Sequence, residues 1–163
     1  MSPACTDKNV ASASVHGCDT SLINIVSFRG SLDPRLWISL IDEELAEYRA
    51  EKFGTHNHLK ELCDLLYVST GLSLTVPEHI GMLMRDDERN KSLKQQGQVS
   101  RALEEGLTYY GEDVFMEAFA RVHDSNMSKL DSNGNPILRE DGKVMKGPNY
   151  KKPDLTDLLE KAA

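Results

Sequence analysis

The sequence predicts an all-α fold, and three observations carry that expectation. Apolar residues recur at spacings of three and four through several long stretches, the mark of helices with one buried face. Helix punctuation brackets these stretches: Asp33-Pro34 opens the first and Gly54 stops it, while Gly71 and Gly111 close later ones. The link between the first two helices is two to four residues, which makes them antiparallel neighbours. At 163 residues the chain suits one domain with a core of its own.

Residues 1–20, "MSPACTDKNVASASVHGCDT", are small and polar without an apolar period and read as a flexible N-terminal tail. Residues 21–163 then form the single folded domain. "LINIVSF" at 22–28 is a short apolar run, a strand or an anchoring segment. From Asp33 as N-cap, Leu36, Trp37, Leu40, Ile41, Leu45 and Tyr48 define a first helix over about 34–52. A second begins near His56, carries Leu59, Leu62, Cys63, Leu65, Leu66 and Val68, and ends near Gly71. Thr75 and Pro77 open another (Ile80, Leu83, Met84) that turns polar through "RDDERNKSLKQQGQ". A further amphipathic piece has Val99, Leu103 and Leu107 and closes near Gly111. "EDVFMEAFARVHDSN" sets Val114, Phe115, Ala118, Phe119 and Val122 on one helical face. Beyond Asn126 the turn clusters "DSNGNP" and "EDGK" surround Ile137-Leu138 and Val144-Met145, which predicts a small hairpin or ordered arm. "PDLTDLLEKAA" closes with a short helix.

Composition excludes several classes. It is ordinary for a globular protein, with 39% hydrophobic and 28% charged residues. A net charge of −7 and a pI near 5.2 disfavour non-specific nucleic-acid or membrane binding. No stretch is apolar enough to span a bilayer and no signal sequence is recognisable, so the expected location is cytoplasmic. Cys5, Cys18 and Cys63 fit neither a disulfide framework nor a zinc knuckle. The charge is uneven along the chain. Residues 1–126 carry 12 Lys and Arg against 20 Asp and Glu, whereas 127–152 carry 6 against 3. An acidic body followed by a basic segment fits a metal site joined to an anion clamp.

Two acidic pairs sharpen that reading. Glu44 and Glu47 are three apart on the first helix, and Glu61 and Asp64 are three apart on the second, so each pair shares a helical face. Antiparallel packing lets the two patches face each other. Four carboxylates brought that close must be neutralised by a divalent cation or stay protonated. Oxygen-only ligands favour Mg²⁺ or Mn²⁺, and Mg²⁺ is normally shared with substrate phosphates, which points to a nucleotide. A plain solvated acidic face is the alternative. Other sites are excluded by pattern. Glu-x-x-His is absent, against a di-iron bundle. In the calcium-loop frame of "DSNGNP", Pro136 stands where Gly is needed and Gly142 where Glu is needed. "HNH" at 56–58 reads as surface histidines at a helix start, and no Gly-rich phosphate loop is present.

"LWISLIDEELAEYRAE", "KELCDLLYVSTG", "VFMEAFARVHDSNMSKL" and "REDGKVMKGPNYKKPDL" together resemble successive blocks of the MazG-like, phosphoribosyl-ATP pyrophosphohydrolase-like family. The blocks cover roughly 34–71 and 111–155. The family's E-x-x-E followed by E-x-x-D matches Glu44, Glu47, Glu61 and Asp64. The resemblance implies a four-helix-bundle-type fold and a homodimer or homotetramer with sites near subunit interfaces. Residues 75–110 would be an extra helical insertion and 127–152 a C-terminal basic arm. It implies Mg²⁺-dependent cleavage of a nucleoside triphosphate between the α and β phosphates. By matched position Glu44, Glu47, Glu61 and Asp64 would hold the metal, and Glu43 would orient the attacking water. Asn126 and Lys129 would face the nucleotide, with Lys143, Lys146 and Tyr150 at the phosphates or sugar. Trp37 is a candidate for stacking on the base, or else a core residue. The role would be pool sanitation or balance. Alternatives are a narrower substrate (dUTP or dCTP, phosphoribosyl-ATP, guanosine tetraphosphate) or a non-catalytic nucleotide sensor.

Overall fold

The computed structural model describes residues 34–75, 84–140 and 142–160, and it is all-α with no strand among them. The N-terminal tail, the "LINIVSF" run, the Asp33 cap and the helix start at Pro77 lie outside the described residues. Five helices follow in order: α1 Pro34–Ala50, α2 His56–Thr75, α3 Asp86–Tyr110, α4 Glu112–Met127 and the short α5 Thr156–Glu160.

Proline at the first position of α1 has its φ preset and no N–H left to satisfy. Trp37, Ile38, Leu40, Ile41 and Leu45 bury one face. Gly54, at φ 82°, turns the chain, and the Thr55 hydroxyl accepts the N–H of His58 to cap the next helix. That helix, α2, is the centre of the molecule and packs against all four others. Its burial therefore extends beyond one stripe: Leu59, Leu62, Cys63 and Leu65 are fully enclosed. Each such leucine contributes roughly 1.5–3 kcal/mol of burial. Helix α2 runs through Gly71 instead of ending there, because Trp37 packs where a Cβ would stand, 2.1 Å from its ring.

Residues 86–110 form one continuous helix, about 37 Å long at 1.5 Å per residue, where a polar stretch and a separate amphipathic piece were expected. Its acidic first turn, Asp86, Asp87 and Glu88, complements the positive helix end. The buried stripe is Gln95, Val99, Ala102, Gly106 and Tyr110, and Leu107 is exposed. Small residues prevail there because α3 lies close on α2: a Cβ on Gly106 would sit 2.0 Å from Leu62 Cδ2. Gln95 ties α3 to α1 by donating to the Ile38 carbonyl at 2.8 Å and to Asp42.

Gly111 alone joins α3 to α4, on which Phe115, Ala118 and Val122 face the core as the spacing predicts. The segment after α4 holds itself by local bonds. Asp131 Oδ1 accepts the N–H groups of Asn133 and Asn135, and Leu138 pairs with Val144 in an isolated antiparallel bridge. Helix α5 is fastened by Arg121, which grips Asp157 and donates to the Asp154 carbonyl at 3.0 Å. No helix among the described residues is long and apolar enough to cross a membrane.

Candidate functional site

The antiparallel packing of α1 on α2 brings the acidic faces together. Glu44, one turn beyond Leu40 on α1, is half-buried, while Glu47 is exposed at the rim. On α2, Glu61 is 7% exposed and Asp64 is half-buried. One oxygen each of Glu44, Glu61 and Asp64 lie within 4.8 Å of one another. Glu47 is outside that triad but lines the same cleft.

A lysine absent from the sequence-based set stands in the middle. Lys60 Nζ donates to Glu61 Oε1 at 2.8 Å and to Asp64 Oδ2 at 2.7 Å. The Glu61 carboxylate is itself incomplete: its second oxygen, Oε2, is buried with no hydrogen-bond partner. Burial, then the charges of Asp64 and Glu47, push the Glu44 carboxyl up to about 8. Burial raises Glu61 as well, against the pull of Lys60. For Lys60, burial works against the charge, but Asp64 and Glu61 outweigh it and hold the ammonium above its usual range. Negative charge is thus in excess here, one carboxyl is poised to keep its proton at neutral pH, and one buried oxygen is unsatisfied.

Cations form the facing wall. The cleft is lined by Glu44, Glu47, Lys60 and Asp64 on one side, and by Ser125, Asn126, Lys129, Lys143, Lys146 and Tyr150 on the other. Lys129 donates to Asn126 Oδ1 at 2.6 Å, and burial depresses its ammonium although Asp64 and Glu44 oppose this. Lys146 lies 4.8 Å over the Tyr150 ring, a cation–π contact. This wall is held on α4 by backbone approach: a Cβ on Gly147 would meet the Lys129 carbonyl oxygen at 2.6 Å. Ser125 and Ser128 add hydrogen bonds to Lys151 on the same strip of chain. A second recess opens beside the charged one, sharing Glu44, Asp64, Asn126 and Lys129 and adding Leu40, Tyr67, Val68, Leu130 and Pro136. The cleft therefore has a charged half and an apolar half.

Three expected residues take other places. Glu43 is exposed and pairs with Lys143, so it stands outside the carboxylate triad. Trp37 is 1% exposed in the core against Gly71 and lines neither recess, since its helical register points it at α2. Of the histidines read as surface residues, His56 is exposed but His58 is buried, its Nδ1 2.8 Å from the Tyr110 hydroxyl. Sequence spacing missed Lys60 and Tyr67. Lys60 was legible in one respect: it precedes Asp64 by four, a spacing at which charged side chains meet on a helix.

The chain matches no family model, no curated protein and no solved structure. What the site can hold rests on its own chemistry. The three carboxylate oxygens lie within 4.8 Å of one another, wider than the ~3 Å between adjacent ligands of an octahedral Mg²⁺ shell, so the side chains would draw together to hold the ion. The donors are all oxygen, which suits Mg²⁺ or Mn²⁺ better than Zn²⁺. The unsatisfied Glu61 Oε2 is the kind of lone pair a cation relieves. Cys63, fully buried with its thiol pushed well up by burial, is neither ligand nor nucleophile.

Proposed function

We propose that the protein is a Mg²⁺-dependent nucleoside triphosphate pyrophosphohydrolase that converts a (d)NTP to the monophosphate and pyrophosphate. One observation carries this reading: Glu44, Glu61 and Asp64 converge from facing helices, and Glu44 and Asp64 line a cleft together with Lys129, Lys143 and Lys146. Acids on one side and ammonium groups on the other suit a ligand that is itself a polyanion carrying a divalent cation.

Bound there, Mg²⁺ or Mn²⁺ would neutralise phosphate charge and make a bound water acidic enough to attack. Glu44, Glu61 and Asp64 would hold it, with Glu47 at the rim for further contact through water. Lys129, Lys143 and Lys146 would stabilise the charge that builds on the departing pyrophosphate. The apolar recess lined by Leu40, Tyr67 and Leu130 would take base and sugar, oriented by the Asn126 side chain. The narrower substrates belong to the same reading, as do a dimeric or tetrameric assembly, a cytoplasmic location and a part in nucleotide-pool sanitation.

The test is a panel of ribo- and deoxyribonucleoside triphosphates, phosphoribosyl-ATP and guanosine tetraphosphate, with products separated by ion exchange. Monophosphate plus pyrophosphate, formed with Mg²⁺ and abolished by EDTA, is the expected result for the triphosphates that fit. Stepwise release of orthophosphate, or undiminished turnover in EDTA, overturns it. Binding without turnover across the panel would favour the sensor.

A further inference from the structure

Lys60 does something that neither the acid pairs nor the basic wall explains. Its ammonium holds one oxygen of each of two of the three carboxylates that would take a cation, 2.8 Å from Glu61 Oε1 and 2.7 Å from Asp64 Oδ2. The side chains of Glu61 and Asp64 are only 9% and 17% exposed, so little water is available to replace it. Lys60 also lines two recesses at once, the acid-and-lysine cleft and a neighbouring one formed with His56, Asn57, Lys152 and Thr156. A lysine is a compact charge on a four-carbon stem and can exchange one anionic partner for another by rotating its side chain.

We propose that Lys60 is an exchangeable internal counter-ion. In the metal-free protein it neutralises Glu61 and Asp64; when a divalent cation enters, it is displaced and its ammonium passes to a phosphate in the adjoining cleft. This rests on the pyrophosphohydrolase reading for the identity of the phosphate, and on the geometry alone for the competition with metal. A cation and an ammonium held on the same two carboxylates repel each other, so binding of one weakens binding of the other. Phosphate then removes the displaced charge from the metal's neighbourhood, which makes metal and polyphosphate bind with positive coupling. Metal alone binds weakly because it must evict Lys60; metal with polyphosphate binds well because Lys60 gains a new partner.

The experiment is Mn²⁺ titration by electron paramagnetic resonance without nucleotide, followed by calorimetric titration of inorganic pyrophosphate at saturating Mn²⁺. Lys60→Met keeps the stem and removes the charge. It should bind Mn²⁺ roughly tenfold more tightly than wild type and bind pyrophosphate roughly tenfold more weakly. Opposite signs are the signature, since a variant that merely loosened the site would weaken both. Lys91→Met, which removes the same charge from the ion pair with Asp42 outside the cleft, should leave Mn²⁺ affinity within about twofold. Should Lys60→Met be insoluble without metal, Lys60→Arg supplies the comparison, because a guanidinium grips both carboxylates and should weaken Mn²⁺ binding several-fold. Unchanged or weaker Mn²⁺ binding by Lys60→Met, or unchanged binding by Lys60→Arg, overturns the proposal. Tighter Mn²⁺ binding with no pyrophosphate bound by either protein would overturn the transfer to phosphate while sustaining the competition. Product identification in the nucleotide panel judges the pyrophosphohydrolase reading separately.

Discussion

At the start of α2 the imidazole of His58 is 2% exposed, with Nδ1 2.8 Å from the Tyr110 hydroxyl, which in turn lies 3.2 Å from the Thr55 carbonyl. With Nδ1 as donor and the Tyr110 hydroxyl donating to the Thr55 carbonyl, both of these contacts are satisfied. Tyr48 and Phe53 pack on the same ring, at 4.6 and 4.7 Å between centroids. Two residues further along the same helix, Lys60, Glu61 and Asp64 meet Glu44 under different terms. Like charges crowd, Lys60 compensates only in part, and Glu61 Oε2 has no hydrogen-bond partner. Both clusters bury polar groups on α2, but the first pairs His58 with Tyr110 and Tyr110 with Thr55, whereas the second leaves one buried oxygen without a partner, which on the proposed reading a cation supplies. Burial alone thus does not separate structural from functional polar groups; an unpartnered buried oxygen within a cluster of like charges is the stronger mark of a ligand site.

The two clusters also titrate in opposite senses. Burial lowers His58, so the folded protein binds its proton less well than the unfolded chain, and that stability is lost as pH falls. Glu44 is pushed up to about 8, so the folded metal-free protein holds that proton more tightly. Its contribution is present in acid and lost as pH rises from the ordinary carboxyl range through about 8.

The largest expected effect comes from breaking the incomplete cluster. Glu44→Gln keeps the shape and removes the charge that the site collects. Turnover should fall by about 10³-fold with loss of one ligand from the metal shell. Metal-free stability should move the other way. The melting temperature of the wild type should decline between pH 6 and pH 9 and recover on adding Mg²⁺, whereas the variant should stay flat across that range. Calorimetry with and without Mg²⁺ checks both; a variant that melts lower than wild type at pH 9 would show Glu44 to be a structural group like His58.

The complementary change is smaller and acts on stability alone. Tyr110→Phe leaves His58 Nδ1 buried without its partner, while the Thr55 carbonyl still accepts the Leu59 N–H, at a cost of roughly 1–3 kcal/mol. For a chain of this size that lowers the melting temperature by about 3–10 °C. The nucleotide panel should retain rates within about twofold, because Tyr110 lines neither recess of the cleft. A tenfold loss of rate at a temperature where the variant is fully folded would join the two clusters into one unit.

Which parts of this were legible in the sequence follows from the range of the interactions. Helix α4 and the first half of α1 announce themselves because one apolar stripe meets one neighbour. Helix α3 announces only its second half, through Val99 and the stop at Gly111; its first half and its continuity do not show, since much of its contact face is Gln95, Ala102 and Gly106, which serve close approach and a hydrogen bond to Ile38. The acid pairs were visible from spacing, as both lie on one helical face each. The position of Glu43 was not, because a shift of one residue turns a side chain by about 100° around the helix and spacing does not say which neighbour it meets; Trp37 takes the core place that its spacing with Leu40 and Ile41 offered as one of two readings. Lys60 went unseen for another reason: a cation inside an acidic motif reads from sequence as an ordinary surface pair, and only its enclosure gives it a different meaning.

Glu43 supplies the smallest effect and the finest test of the comparison. It neighbours Glu44 in sequence, yet it is exposed, outside the triad and paired with Lys143 across the mouth of the cleft. A carboxylate already held by an ammonium in solvent is a weak base for an attacking water, and an exposed ion pair of this kind contributes about 0–1 kcal/mol. Glu43→Gln should therefore change turnover by no more than about threefold, through release of Lys143 to move against the phosphates. That release predicts an altered Michaelis constant with nearly constant kcat. A kcat loss of a hundredfold or more would return Glu43 to the water-orienting role and place the boundary of the incomplete cluster one residue earlier on α1.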